Sequence, residues 1–302
     1  MTGRLAAPAI AVLLLTPVTA QQPPNFHAEA RLVVVHATVT NERGEIVTDL
    51  DRRAFTVYEN GRPQPISIFH RDDLPVSIGL VIDNSGSMRP QRARVEAAAM
   101  AFVRASNALD DAFVVNFADK ARLDVPMTHD PVVLEAGIAR ADSIGGTALR
   151  DAVALAGQYL AEYASHERKV ILAITDGNDN ASLASIEQVQ RVVERSEVTV
   201  FGIGLFRDDD ERVAARGRRE LDHLAHLSGG AAYYPTSADE VHAIALEIAR
   251  QIRNRYTIAY MPLNQALDSS YRRIRVKVVG GGRGVVRARN GYWATPRPAA
   301  PP

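Results

Sequence analysis

Five oxygen-bearing side chains stand in three short loops of the sequence, and their types and spacing suit one kind of chemistry. Asp83, Ser85 and Ser87 follow one apolar run, Thr147 closes a Gly-Gly-Thr loop, and Asp176 follows a second apolar run. Together the loops offer carboxylates and hydroxyls but no histidine that would act as a base toward a serine. Oxygen ligands of this kind are the ones that Mg²⁺ prefers. The residue types therefore point to a divalent cation rather than to nucleophilic catalysis.

The elements that must position these loops are buried strands. Near-continuous apolar runs are typical of parallel strands that helices cover on both faces, and segments of helical length and spacing lie between the runs. The predicted strands are Val76–Ile82, Phe113–Phe117, Val170–Thr175 and Val198–Leu205, with Ala121–Val125 as an antiparallel edge strand; the predicted helices are Arg89–Ala108, Pro131–Ala141, Ala148–Tyr163, Ile186–Ser196, Glu211–Leu227 and Ala238–Arg253. This alternation predicts an α/β fold with a doubly wound, mostly parallel sheet. Because the carboxyl ends of parallel strands meet at one edge, we expect the three loops to converge there.

Short strands flank the α/β region on both sides. Apolar and polar residues alternate over residues 30–73, and the alternation returns after Asn254. Neither flank has enough strands for a sandwich of its own, whereas the two flanks together do. We therefore predict an α/β domain inserted into a split β-sandwich. The predicted boundaries are 21–73 for the N-terminal β segment, 74–254 for the α/β domain and 255–293 for the C-terminal β segment that completes the sandwich.

Both ends of the chain have compositions that do not suit a folded core. Arg4 precedes an apolar stretch that ends near Ala20, and Pro8 and Pro17 interrupt a run already shorter than the ~20 apolar residues of a membrane span. Residues 1–20 are therefore predicted to be a signal peptide, cleaved on export to the periplasm or the exterior, with no integral membrane segment in the mature chain. Residues 294–302 are rich in proline and alanine and are predicted to be a disordered tail.

The overall composition excludes several classes of function. The 302 residues include 35 basic and 35 acidic side chains, so no net field is available to gather nucleic acid or an anionic membrane. The absence of cysteine from the sequence excludes a disulfide scaffold, thiolate chemistry and cysteine-ligated zinc. Any function must therefore come from local sites.

The three loops, taken in order, resemble the metal-ion-dependent adhesion site (MIDAS) of von Willebrand factor type A domains. The residues that carry the resemblance are Asp83-x-Ser85-x-Ser87, the Gly-Gly-Thr147 loop and Thr-Asp176-Gly, within a region of about 76–253. The resemblance implies that Ser85, Ser87 and Thr147 contact the ion, while Asp83 and Asp176 hold coordinated waters or one aspartate binds directly. It also implies an adhesion or scaffold protein rather than an enzyme.

The flanking segments are similar to a bacterial group of such proteins that is abundant in acidobacteria. The matching residues are Asp51-x-x-x-Phe55-x-Val57-x-Glu59-Asn60-Gly61 near the N-terminus and Val286-x-Ala288-Arg289-x-Gly291-Tyr292 near the C-terminus. The ligands of that group are largely unknown, so this second resemblance does not name a partner.

The proposed ligand set has a physical consequence for what the protein binds. Mg²⁺ keeps several waters, and neutral hydroxyl ligands leave the cation under-neutralised when the carboxylates act only through waters. A position that faces solvent is then attractive to an incoming carboxylate. We predict a protein partner that presents Asp or Glu, with Mg²⁺, or Mn²⁺ or Ca²⁺ in its place, as the ion. The predicted rim for that partner is Asn84, Asn178, Asp179, Asp208 and Asp209.

Each motif also has a purely structural interpretation. Asp83, Ser85 or Ser87 alone suits a helix N-cap, and Thr175-Asp-Gly is a common turn. A hydrolase is disfavoured, because Ser85-Gly-Ser87 lacks the Gly-x-Ser-x-Gly elbow and no carboxylate pair is arranged for two metal ions. A structural envelope protein whose ion only stiffens the loops stays open as an alternative. The combined pattern favours an exported, cation-dependent protein-binding module without catalytic activity.

Overall fold

Strands and helices alternate along most of the part of the chain that the computed structural model describes, which comprises residues 32–140, 144–176, 179–206, 211–279 and 284–295. The strands in chain order are β1 (Val33–Thr40), β2 (Phe55–Glu59), β3 (Arg62–Gln64), β4 (Ile66–His70), β5 (Val76–Asp83), β6 (Asp111–Phe117), β7 (Ala121–Thr128), β8 (Arg168–Thr175), β9 (Thr199–Gly204), β10 (Ala232–Tyr233), β11 (Tyr256–Tyr260), β12 (Tyr271–Val278), β13 (Val285–Arg287) and β14 (Gly291–Trp293). The α-helices are α1 (Arg92–Ala105), α2 (Pro131–Ile138), α3 (Leu149–Tyr163), α4 (Ile186–Ser196), α5 (Glu211–Ser228) and α6 (Ala238–Arg253).

The central sheet has six strands in the order β10-β9-β8-β5-β6-β7. Its neighbouring strands pair in parallel, except that β7 runs antiparallel to β6 at one edge. The prediction of a mostly parallel α/β sheet with an antiparallel edge strand is confirmed. The short strand β10 was not predicted, because two residues are too few to show a period.

Helices cover both faces of this sheet, and β5 shows why its sequence is apolar throughout. Ile78, Leu80 and Ile82 pack on one side against α1, α2 and α6. Val81 packs on the other side with residues of α3, α4 and α5. Alternate side chains of a strand point to opposite faces, so a strand buried on both faces needs apolar residues at nearly every position.

The first helix is shorter than predicted at both ends. Residues Gly86–Gln91 form a 3₁₀ helix that contains Pro90, so that α1 begins only at Arg92. At the other end, the Ser106 hydroxyl donates to the Phe102 carbonyl at 3.0 Å, and Ser106 itself has an extended backbone. Such a side-chain bond to the backbone competes with continuation of the helix. Ser85 therefore lies directly before a 3₁₀ helix and Ser87 within it, rather than in a loop that leads straight into α1.

The N-terminal and C-terminal strands interleave in two antiparallel sheets of four strands, in the orders β13-β1-β11-β4 and β14-β12-β2-β3. β1 pairs with β11 and β2 pairs with β12, so each sheet combines strands from both flanks of the α/β region. Apolar side chains of both sheets share one core. The predicted split β-sandwich is confirmed, with β14 as a strand that was not predicted.

A buried carboxylate holds the middle of the sandwich. Glu59 is 3% exposed, and its Oε2 accepts hydrogen bonds from the hydroxyls of Tyr260 and Tyr292, each at 2.9 Å. Its Oε1 lies 3.5 Å from Nη1 of Arg272, which is 2% exposed. Arg272 also contacts Asp268 at 3.2 Å near the surface. Glu59 thus links β2, β11, β12 and β14, which come from both flanks of the chain.

Replacing Glu59 with Ala is expected to lower the free energy of unfolding by about 3–5 kcal/mol, because it leaves the buried Arg272 without its inner counter-charge. The matched control is Asp268→Ala, which removes a half-exposed partner of the same arginine and should cost less than about 1 kcal/mol. Urea unfolding of the three proteins measures both values. Equal losses for the two variants would contradict the assignment of Glu59 as the central contact of the sandwich.

Candidate metal centre

Asp83 is the last residue of β5, and its carboxylate is anchored on both oxygens. The residue is 0% exposed. Oδ2 accepts a hydrogen bond from the hydroxyl of Thr175 at 2.6 Å, and Oδ1 accepts one from the backbone N–H of Ser85 at 2.8 Å. Thr175 ends the neighbouring strand β8, so the first contact joins two central strands. The second contact turns the chain sharply after the strand.

The serine hydroxyls continue from this carboxylate toward the second aspartate. The Oγ atoms of Ser85 and Ser87 lie 3.0 Å apart, and Ser87 donates to Oδ1 of Asp176 at 2.8 Å. Ser85 and Asp176 are both buried. The structure therefore brings together Asp83, Ser85, Ser87 and Asp176 in one cluster of hydrogen-bonded side chains.

The loop that carries Thr147 is tied to this cluster through its backbone. Thr147 is 3% exposed, its N–H donates to Oδ1 of Asn180 at 2.8 Å, and its carbonyl accepts from the Asn180 N–H at 3.0 Å. Two residues before Thr147, the carbonyl of Gly145 accepts a hydrogen bond from the N–H of Gly86, in the loop of the two serines, at 3.2 Å. The loops that carry all five predicted metal residues thus meet at the carboxyl edge of the sheet.

Asp119 is a further acidic residue at this edge that sequence reasoning missed. Its Oδ1 accepts a hydrogen bond from the N–H of Gly146 at 2.6 Å. The neighbouring Gly145 has a φ of +101°, and a Cβ added there would lie 2.4 Å from Oδ2 of Asp119. Asp119 therefore needs glycine beside it. The available signal was its position, since it follows β6 by two residues at the edge where the other loops converge.

The described residues of the predicted rim are engaged inside the protein. Asn84 is 5% exposed, and its side-chain amide bonds the carbonyl of Arg140 and the guanidinium of Arg92. The Asp179 carboxylate contacts the guanidinium of Arg150 at 2.8 Å and accepts from its backbone N–H at 2.7 Å. Neither side chain presents a free polar group to a partner, because each is needed to hold its own loop.

The other three rim residues lie outside the described residues. They are Asn178, Asp208 and Asp209.

Two carboxylates close together in a buried setting give the cluster its electrostatic character. Burial raises the pKa of Asp83 to about 6; its hydrogen bonds with Thr175 and Ser85 act in the opposite direction, and the charge of Asp176 raises it further. A positive charge placed between the two groups would relieve both the burial cost and the repulsion. Hydroxyl and carboxylate oxygens are also the donor set that a hard divalent cation accepts. The residues present therefore fit such an ion.

A family model described as the von Willebrand factor type A domain matches residues 78–178 of the chain. This span runs from β5 into the loop after β8 and contains all five residues of the candidate centre. The chain contains a von Willebrand factor type A domain. The predicted family resemblance is thereby confirmed for the domain that carries the site.

Solved structures share the fold of this von Willebrand factor type A domain at low sequence identity. A von Willebrand factor type A protein from Catenulispora acidiphila is 15% identical with a TM-score of 0.52, over 78% of this chain and 73% of that chain. Proximal thread matrix protein 1 from the mussel byssus, with a zinc-occupied MIDAS motif, is 19% identical with a TM-score of 0.51, over 64% of this chain and 49% of that chain. No curated protein matches the chain.

The contact between Gly145 and Asp119 can be tested by a double-mutant cycle. Gly145→Ala is expected to cost about 1–3 kcal/mol through its positive φ, with a further steric cost from the Asp119 carboxylate. Asp119→Ala removes that carboxylate, so the double variant should be less destabilised than the sum of the two single changes. Urea unfolding of the four proteins gives the coupling energy.

The matched control for this cycle is Gly44→Ala. Gly44 has a φ of +80° but no atom within 4 Å of its added Cβ. Its cost should add to that of Asp119→Ala within about 0.5 kcal/mol. Additivity at Gly145 as well would show that Asp119 does not shape the loop.

Proposed function

We propose that the protein is an exported, divalent-cation-dependent binding module that captures an acidic side chain of a partner protein. The observation that carries this proposal is the unbroken series of contacts from Thr175 through Asp83, Ser85 and Ser87 to Asp176, at 2.6–3.0 Å. It collects oxygen donors where the strands of the sheet end, and among the described residues no imidazole is a hydrogen-bond partner of either serine. In open α/β sheets this edge is where ligands bind.

Ser85, Ser87 and Thr147 would hold the ion through their hydroxyls, with Asp83 and Asp176 placed to act through coordinated waters or directly. When bound, the ion supplies a Lewis-acidic position that attracts a carboxylate. The contribution of the chain itself is to keep these side chains oriented before the ion arrives. Asp83 is fixed by Thr175 and the Ser85 backbone, and the Thr147 loop is fixed by Asn180.

The proposed ion is Mg²⁺, with Mn²⁺ or Ca²⁺ as substitutes. Carboxylate and hydroxyl oxygens favour such hard cations over softer metals. The fold itself is compatible with a divalent ion at this place, since the mussel byssus protein of similar fold holds zinc in its MIDAS motif. Within the part of the chain that the structure describes, no group of three His, Asp or Glu side chains is arranged as a metal site. The hydroxyl-based cluster is thus the metal centre that we propose.

Export is proposed on the sequence of residues 1–20, which lie outside the described residues. Among the described helices, none combines the length and the apolar character needed to cross a membrane. A partner in the periplasm or at the cell exterior would meet the carboxyl edge of the sheet, where the metal centre lies.

We further propose that the centre is not catalytic. The Ser87 hydroxyl donates to Asp176 and contacts the hydroxyl of Ser85, and no histidine of the described residues is a hydrogen-bond partner of either serine. Hydrolysis of generic esters or phosphate esters by the purified protein, lost in Ser85→Ala, would contradict this part of the proposal.

Titration of the purified protein with Mg²⁺ and Mn²⁺ by isothermal calorimetry is expected to show one saturable site. Asp83→Ala and Ser87→Ala should each weaken the affinity at least about tenfold, because ligands and the groups that orient them both contribute to metal binding. Asp49→Ala, which removes an exposed carboxylate of the sandwich region, is the matched control and should bind as the wild type does. Circular dichroism of each variant checks that it is folded. Wild-type protein that binds neither ion would refute the metal centre.

Capture of proteins from cell-envelope extract tests whether the protein binds a partner only when the cation is present. Immobilised wild-type protein should retain a specific set of proteins in Mg²⁺ and release it in chelator, and Ser87→Ala should retain little of that set in either buffer. Mass spectrometry identifies the set, and acidic-to-amide substitutions in a captured protein locate the carboxylate. Retention that is unchanged by chelator would overturn cation-dependent capture. A rise in melting temperature with Mg²⁺, without any cation-dependent partner, would support the structural alternative instead.

A further inference from the structure

A second polar site lies at the opposite end of the parallel strands from the metal centre, where the strands of the central sheet begin. A cavity of about 130 Å³ lies there between the starts of β8 and β9 and the strands of the split sandwich. Lys169 and Thr199 line it from the sheet side, and His36, Arg255 and Arg289 line it from the sandwich side. The cavity is distant in the fold from the metal centre, since β8 begins at Arg168 near the cavity and ends at Thr175 beside Asp83.

Arg255 is the central cation of this cavity. It is 3% exposed, yet its hydrogen-bond partners among the described residues are neutral: Nη1 donates to the hydroxyl of Thr199 at 2.7 Å and Nη2 to the carbonyl of His36 at 3.1 Å. Its Nε has no hydrogen-bond partner in the described part of the chain. A buried guanidinium without a counter-charge is costly, because its charge loses hydration without compensation.

A second buried arginine adds to the positive potential from behind. Arg168 is 4% exposed and donates from Nη2 to the Thr257 hydroxyl at 2.9 Å, while its Nε and Nη1 lack partners among the described residues. Burial lowers the pKa of Arg168, and the carboxylates of Asp72 and Asp73 oppose that shift. Both of those carboxylates are largely exposed and therefore screened by solvent.

The remaining charges at the cavity leave a positive surplus. Of the two carboxylates that line it, one is already taken by an ion pair, in which Nη1 of Arg289 lies 2.9 Å from Oε1 of Glu197. The cationic side chains at or behind the cavity are Lys169, Arg168, Arg255 and Arg289, against the carboxylates Glu167 and Glu197.

The imidazole of His36 lines the cavity beside these cations. Burial and the charges of Arg255, Arg168 and Arg289 lower its pKa well below the ordinary value. The ring is therefore neutral at pH 7, and it contributes no positive charge of its own to the cavity.

We propose that this cavity binds a small free oxyanion, of the class of inorganic phosphate or sulfate, with Arg255 as its principal ligand. The Nε–H of Arg255 lacks a partner among the described residues and can donate to an oxyanion, and the buried setting strengthens such a charge-assisted hydrogen bond. The volume exceeds what one water needs, and it is too small for a polymeric acid to enter as a whole. The anion would neutralise the arginines where the sandwich meets the von Willebrand factor type A domain. Binding there would therefore strengthen the junction of the two parts.

Isothermal calorimetry and thermal melting in chelator, with phosphate or sulfate against chloride at equal ionic strength, test the proposal without involving the metal centre. We expect saturable binding of phosphate or sulfate by the wild type and a rise in melting temperature that follows the same saturation curve. Arg255→Gln should weaken the affinity at least about tenfold, since it removes a charge-assisted contact. Arg250→Gln, which removes an exposed cation of α6, is the matched control and should leave the affinity unchanged.

A second variant allows the same test if Arg255→Gln does not fold. Lys169→Gln changes a partly exposed cation of the cavity and should weaken binding several-fold while leaving the fold intact. Failure of the wild type to bind either anion at millimolar concentration would overturn the proposal and assign the cavity to ordered water. Binding that is equal in the wild type and in the folded cavity variants would overturn it as well, by placing the anion elsewhere.

Discussion

The hydrogen bond from Thr175 to Asp83 is the contact on which the arrangement of the loops depends. Strand β5 pairs with β8 in a register that sets Ile82 beside Ile174, so the next residues, Asp83 and Thr175, must be neighbours. Their 2.6 Å contact then fixes the point at which both strands end. The serines and Asp176 follow within a few residues, and their relative positions are inherited from strand pairing. A cluster of this kind requires little from the loops themselves beyond hydroxyls, carboxylates and tight turns.

The same strands carry opposite electrical character at their two edges. Asp83, Asp119 and Asp176 gather at the carboxyl edge, and Arg168 and Arg255 gather at the amino edge, where the sandwich packs. The sheet between them is almost wholly apolar. The buried strands keep the two charged regions apart: the carboxylates lie at one end of the sheet and the enclosed arginines at the other.

The sequence predicted the fold because burial on both faces leaves a pattern that one chain displays by itself. Runs such as Val170–Thr175 are almost wholly apolar. Because the carboxyl ends of parallel strands meet, the residues that follow such runs, Asp83 and Asp176, are expected to lie together. Local pattern does not reveal which way a loop side chain points. Asn84 and Asp179 were predicted to face a partner because they are polar and stand in loops, yet their partners are arginines from other segments. Buried cations were equally hidden. Arg255 follows the end of α6, where a cation is expected to oppose the helix dipole. Only the structure shows that β1 packs over it through His36.

The pairing of β1 with β11 has a consequence for how the protein reaches its folded state. Val33 pairs with Tyr260, so the first described strand has no neighbour on that side until nearly the whole chain is present. Contacts between segments so distant in sequence close slowly. If the chain crosses a membrane from its N-terminus, β1 is an unpaired strand edge, of the kind that invites aggregation, until β11 has followed it across. A chain of this design would depend on being shielded during the interval between synthesis and closure.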